Sequence, residues 1–303
     1  MSTRNARALA EFGSVSVAMV TPMHPDGSID VDAACALATR LVDDGADGLV
    51  LNGTTGESPT THQPEKDALV RAVVDTVGDR ARIVAGAGSN DTEHAIRIAQ
   101  GAQRTGAHGL LVVSPYYNRP SQEGVYRHIH RIVEAVDLPV MLYDIPGRTG
   151  VAIGDEILDR LAQHDRVLAV KDATGDVPAG FERMRRTGLA FYSGDDNLSL
   201  AWLTHGAVGV VSVVGHVVAG AYAEMVERIG AGDLARAQDL AVELAPVCEA
   251  IMGAGQGAVY AKAALELLGA LPHRTVRSPL VEADASELSD LAERLRALGI
   301  LAA

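Results

Sequence analysis

The segment Val167-Leu168-Ala169-Val170-Lys171-Asp172-Ala173-Thr174-Gly175-Asp176 runs from a strand into the cap of a helix. Four apolar residues stand side by side without alternation, the pattern of a parallel strand buried on both faces. Two charges end the run, and Gly175 marks a turn. Asp176 then caps a helical pattern that continues to Arg186.

Working outward, the same unit recurs. Apolar runs occupy Val15–Val20, Gly48–Leu51, Ile83–Ala87, Leu110–Val113, Val140–Tyr143, Val167–Val170, Ala190–Ser193 and Val208–Val213. Amphipathic stretches separate them. Asp30 caps one that ends near Asp44, Pro64 and Glu65 open one that ends near Val77, and Asp91 or Thr92 caps the third. Ser121–Ala135, Gly154–His164, Asp176–Arg186, Asp196–His205 and Ala219–Ile229 complete the series. Eight β–α units predict an α/β chain of the (β/α)8 TIM barrel class. A doubly wound sheet is the competing architecture, but it more often carries five or six strands. Beyond the barrel, residues 1–231, the remaining residues 232–303 hold no clear strand. Asp233–Ile251, Gly257–Leu268 and Ser286–Leu298 read as a C-terminal helical segment.

Composition narrows the function classes. The chain has 303 residues, 48% of them hydrophobic, which is enough for a full core and excludes general disorder. A net charge of −13 repels polyanions, so neither nucleic acid nor an anionic membrane surface is an expected partner. Cys35 and Cys248 are too few for a disulfide framework or a thiolate metal site. No signal peptide is apparent around Arg4 and Arg7, and no apolar run is long enough to span a membrane. The expected setting is cytoplasmic.

In a barrel of this class, chemistry sits at the C-terminal ends of the strands. Only three lysines occur among 26 basic residues: Lys66, Lys171 and Lys262. Lys66 and Lys262 fall on helical patterns, whereas Lys171 directly follows a strand. A lysine there, desolvated enough to supply a neutral amine, can attack a carbonyl and form a Schiff base. Pairing with a strand-end carboxylate such as Asp172 is the structural alternative. The turn Gly53-Thr54-Thr55-Gly56 offers two hydroxyls and free backbone N–H groups that suit a carboxylate; equally, its threonines could cap the next helix. Tyr116, Tyr117 and Tyr143 all lie at strand ends, where a tuned phenol can relay a proton. Arg148, after a Pro-Gly turn, suits a substrate carboxylate or a surface ion pair. His128 and His130 are two residues apart on a helix and make a poor metal pair. Glycine clusters at Gly86–Gly88 and Gly253–Gly257 do not complete a dinucleotide fingerprint, so no metal, nucleotide or nicotinamide cofactor is expected.

Taken together, Gly53-Thr54-Thr55-Gly56-Glu57, Tyr116-Tyr117-Asn118-Arg119-Pro120, Tyr143-Asp144-Ile145-Pro146-Gly147-Arg148 and Lys171-Asp172-Ala173-Thr174-Gly175-Asp176 occur in an order and spacing that resemble the dihydrodipicolinate synthases. These are pyruvate-dependent aldolases related to the N-acetylneuraminate lyases. The resemblance spans residues 13–295 and is closest to the actinobacterial type. It implies condensation of pyruvate with L-aspartate 4-semialdehyde, in the diaminopimelate route to lysine, without metal or organic cofactor. Lys171 would carry the Schiff base and Tyr143 would move the proton. Thr54 and Tyr117 would complete a hydroxyl relay, Tyr117 from a neighbouring subunit of a homotetramer built as a dimer of dimers. Thr55 would hold the pyruvate carboxylate, Arg148 the semialdehyde carboxylate, and Gly194 and Val211 would line the pocket. Sialic acid lyases typically lack the arginine. Other aldehydes on the same lysine chemistry, and a non-catalytic barrel that binds a keto acid, are the alternatives.

The chain departs from this family at several positions. Asp144 stands where many members have Asn, and Asp172 where many have Glu. At the positions matching the lysine feedback site it has Gln63, Lys66, Asn90, His94 and Tyr116. Lys66 would oppose an incoming lysine and His94 replaces a carboxylate, so weak or absent inhibition by L-lysine is expected.

Overall fold

A computed structural model describes residues 2–253 and 255–302. Eight strands, β1 (Val15–Ala18), β2 (Gly48–Leu51), β3 (Arg82–Gly86), β4 (Gly109–Val113), β5 (Val140–Asp144), β6 (Val167–Asp172), β7 (Ala190–Ser193) and β8 (Gly209–Ser212), pair in parallel and in sequence order. β8 closes on β1 through Val15↔Val210 and Val17↔Ser212. The expected barrel is therefore the observed fold.

The helices between the strands are α2 (Val31–Asp43), α3 (Gln63–Val77), α4 (Thr92–Arg104), α5 (Gln122–Glu134), α6 (Pro146–Thr149), α7 (Asp155–Leu161), α8 (Val177–Thr187) and α9 (Ser199–Thr204), and α10 (Gly215–Gly230) follows β8. Asp30, Asp91, Ser121 and Asp176 cap their helices as side-chain acceptors. A first apolar core lies between strands and helices, and a second fills the barrel interior. Helices α11 (Leu234–Met252), α12 (Gly257–Leu267) and α13 (Ala285–Ala297) follow. Among the described residues no helix is long and apolar enough to cross a membrane.

Several expectations need correction. The first strand stops at Ala18 rather than Val20. The sixth extends through Asp172, so Lys171 lies inside the ladder. Asp196–His205 divides into a 3-10 turn, Asp196–Leu198, and the short α9, because Asp196 turns inward to bond Ser212 and the Val213 N–H. The helix expected from Ala219 starts at Gly215 and kinks at Val218.

An N-terminal helix, α1 (Thr3–Phe12), was not anticipated. It closes the bottom of the barrel. Ala8 and Phe12 are fully buried and belong to the interior cluster with Val84, Leu168 and Ala190. The Phe12 ring meets Tyr192 edge-on with centroids 6.5 Å apart, and the Tyr192 hydroxyl donates to Gly13 O. A Cβ at Gly109 would stand 2.6 Å from the Phe12 ring, so the plug requires glycine there.

Candidate active site

β5 and β6 bring the central pair together. Tyr143 and Lys171 are register partners, as are Asp144 and Asp172 one residue on. Successive side chains of a strand point to opposite faces, so the first pair faces into the barrel and the second pair outward. A register shift opposite Val140/Met141 gives β6 an additional residue, and Leu168 and Ala169 both pack in the interior. Lys171 is only 5% exposed, and its Nζ lies 4.4 Å from the centre of the Tyr143 ring. Among the described residues no carboxylate pairs with it. Asp172 is turned away: its Oδ1 accepts from the Thr174 N–H and hydroxyl. Pairing with Asp172 is thus not what places Lys171.

Gly194 follows β7 and packs directly against the lysine. A Cβ there would lie 3.0 Å from Lys171 Cγ and 2.9 Å from Asp172 O, while the Gly194 N–H donates to that same oxygen. Any larger residue would push the Lys171 stem. Val211, on β8, belongs to the interior cluster with Tyr143 and Ala169.

Above this pair opens a cavity of about 290 Å³, lined among others by Thr54, Tyr116, Tyr143, Ile145, Arg148 and Gln256. Lys171 and Thr55 do not line it directly; Lys171 touches its wall through the Tyr143 ring. The turn after β2 is closed by Glu57 N–H donating to Thr54 O and Ser58 N–H to Gly53 O. Its threonines cap nothing, because α3 begins only after His62. Arg148 sits on α6, a short helix where the sequence reads as a plain turn, and its Nη2 donates to Gln256 Oε1 at 3.2 Å.

The three tyrosines do not share one place. Tyr116 and Tyr143 line the cavity, and burial raises the Tyr116 phenol above its ordinary pKa. Tyr117 is 88% exposed, held in a left-handed backbone conformation (φ 74°), with its N–H on Thr149 O.

Behind the site, Asp144 and Asp172 form a buried carboxylate pair, each 1% exposed. Asp144 accepts from the Ile153 N–H and from Arg183, which also binds Asp155. Among the described residues Asp172 Oδ2 has no hydrogen-bond partner. Burial raises the pKa of Asp144 to about 6 and pushes Asp172 in the same direction.

Two neighbours of the site escaped the sequence reading. Gln256 precedes α12 and meets Arg148. Lys262, on α12, is fully buried and bonds Glu57 Oε1 at 2.5 Å, although it reads as an ordinary helix lysine. The available signal was its setting: Ala258-Val259-Tyr260-Ala261-Lys262-Ala263-Ala264-Leu265 surrounds one charge with apolar neighbours, which demands a buried counter-charge.

Comparison with known proteins points to one family. A family model described as the dihydrodipicolinate synthetase family matches residues 11–298. A 4-hydroxy-tetrahydrodipicolinate synthase from Kineococcus radiotolerans is 51% identical over 295 residues, covering 97% of this chain and 96% of that protein. The dihydrodipicolinate synthase of Acinetobacter baumannii, solved in complex with pyruvate, superimposes with a TM-score of 0.91 at 34% identity, covering 95% of this chain and 99% of the other. The enzyme from Cyanidioschyzon merolae, solved with lysine bound, gives 0.91 at 38% identity over 96% and 99% of the two chains. The chain belongs to the dihydrodipicolinate synthetase family.

Proposed function

We propose that this enzyme is a lyase of the 4-hydroxy-tetrahydrodipicolinate synthase type, condensing pyruvate with L-aspartate 4-semialdehyde in lysine biosynthesis. The observation that carries the reading is the Lys171–Tyr143 pair: a buried amine without a carboxylate partner, against a phenol that walls the cavity. The amine attacks the pyruvate C2 carbonyl, water leaves, and a cationic iminium forms. That cation draws electrons from the methyl group, and the released proton leaves through Tyr143, whose own phenol proton passes on to the Thr54 hydroxyl. The enamine attacks the semialdehyde aldehyde carbon. The amino group of the condensed product then displaces Lys171 and closes the ring.

Thr54 and Tyr143 share the cavity wall, which supports a hydroxyl relay. Thr55 follows Thr54 in the same turn, which supports a part for it in holding the pyruvate carboxylate. Arg148 overlooks the cavity as a cation for the semialdehyde carboxylate, which favours a small carboxylated aldehyde over a polyhydroxy sugar. Gly194 and Val211 shape the space around Lys171. The exposed Tyr117 is suited to complete a neighbour's relay, which makes a homotetramer part of the reading. A cytoplasmic setting belongs to it as well.

The test is borohydride reduction in the presence of pyruvate, followed by intact mass measurement and peptide mapping. A single adduct on Lys171 is expected. A folded protein that yields no adduct would overturn the assignment.

A further inference from the structure

Besides the Gln256 contact to Arg148, the C-terminal segment reaches the active site through a buried ion pair. Glu57 ends the turn that carries Thr54 and Thr55, and its backbone lies in the left-handed region (φ 56°), which a non-glycine residue enters at a cost. Its carboxylate bonds to nothing in its own turn. Oε1 accepts from Lys262 Nζ at 2.5 Å and Oε2 from the Arg277 N–H at 2.8 Å, partners 205 and 220 residues away. Lys262 is in turn fixed by Thr275 O at 2.6 Å. The Arg277 side chain donates to Thr60 O and pairs with Glu65, so it also holds the chain just beyond the turn.

A buried ion pair is a weak source of stability, because apolar residues of similar volume serve as well or better. What this one supplies is direction. Both oxygens of Glu57 are aimed by the C-terminal segment, and the Glu57 N–H hydrogen-bonds Thr54 O, so the placement of Glu57 is passed to Thr54. Thr54, Glu57 and Ser58 all line the cavity.

We propose that Lys262, acting through Glu57, is a positioning residue that holds the Gly53–Glu57 turn in the geometry needed to seat pyruvate. The inference rests on the roles assigned above to Thr54 and Thr55. It gives the C-terminal helices a part in catalysis although they supply none of the reacting groups.

The experiment compares the unaltered enzyme with the double variant Glu57→Gln/Lys262→Met, which removes both charges while keeping the volumes close. Borohydride trapping is measured against pyruvate concentration, and KM is measured for each substrate. Half-trapping and the pyruvate KM are expected to rise about tenfold or more, as for a displaced positioning group. The semialdehyde KM should stay within about threefold, and saturating pyruvate should still label Lys171. A pair that serves only the fold would lower the melting temperature and leave the pyruvate dependence unchanged; that result would overturn the proposal. If the double variant does not fold, Lys262→Met alone removes the Nζ contact and leaves Glu57 on the Arg277 N–H. It should raise half-trapping in the same direction by a smaller factor, and no change there would equally reject the idea. Failure of the unaltered enzyme to trap pyruvate would instead count against the proposed function.

Discussion

Replacing Asp144 by asparagine should change how stability depends on pH. The carboxyl of Asp144 faces Asp172 from β6, Arg183 from α8 and the Ile153 N–H, with Asp155 on the far side of the guanidinium. Burial raises its pKa from 3.8 to about 6. A carboxyl raised on folding contributes stability that is complete below its unfolded pKa and is lost as the pH climbs through its folded value. The full gap corresponds to about 3 kcal/mol, most of it lost between pH 4 and pH 8. With an unfolding entropy of about 0.6 kcal/mol/K for a chain of this length, that amounts to ~5 °C in melting temperature. The amide that replaces the carboxyl cannot titrate. The contact to Arg183 that is lost with it adds an offset with little pH dependence, because Arg183 keeps Asp155. The assay is thermal unfolding of both proteins from pH 4 to pH 8, read as the difference of melting temperatures at each pH so that titrating groups remote from Asp144 cancel and only its neighbour Asp172 modulates the curve. The wild type should lose about 4 °C relative to the variant across this range. A flat difference curve would refute the reasoning.

Gln256→Ala removes the hydrogen bond to Arg148, so the semialdehyde KM should rise roughly three- to tenfold while pyruvate trapping is unchanged; steady-state kinetics with each substrate varied would show it. Gly180→Ala drives a Cβ to 1.9 Å from the buried Trp202 ring, and should cost about 1–3 kcal/mol in denaturant unfolding without altering either KM. L-lysine should inhibit weakly or not at all. Lys66 is buried with its amine on Ser58 and Thr61, and burial lowers its pKa to about 8. No acid stands at His94 to receive a ligand ammonium, a charge difference worth up to ~4 kcal/mol at ~4 Å and an effective dielectric of ~20. Half-inhibition at submillimolar lysine would contradict this.

The eight strands were readable because each is buried on both faces, so its whole run is apolar and stands out from the flanking helices. Lys171 and Tyr143 were readable because charge and phenol break such runs where β5 and β6 end. Other features depended on packing between distant parts of the chain. α1 buries only Ala8 and Phe12 in the interior, too few apolar positions for a pattern to announce a plug. The register shift of β6 follows from how it meets β5, which no single strand encodes. Glu57 and Lys262 are separated by 205 residues, so each looked like an isolated charge until the fold joined them. Tyr117 shares a strand-end motif with Tyr116, yet its left-handed backbone sends the two phenols to different places.

The packed interior, closed off below by Phe12, makes the site a vessel with one opening. Whatever enters above Tyr143 must leave by the same passage, and so must the water released when an imine forms. A reactant destined for the floor has to arrive before anything settles over it, and nothing beneath a bound second reactant can depart first. Shape thereby favours an order of addition, since the packed interior beneath Tyr143 leaves only the upper passage.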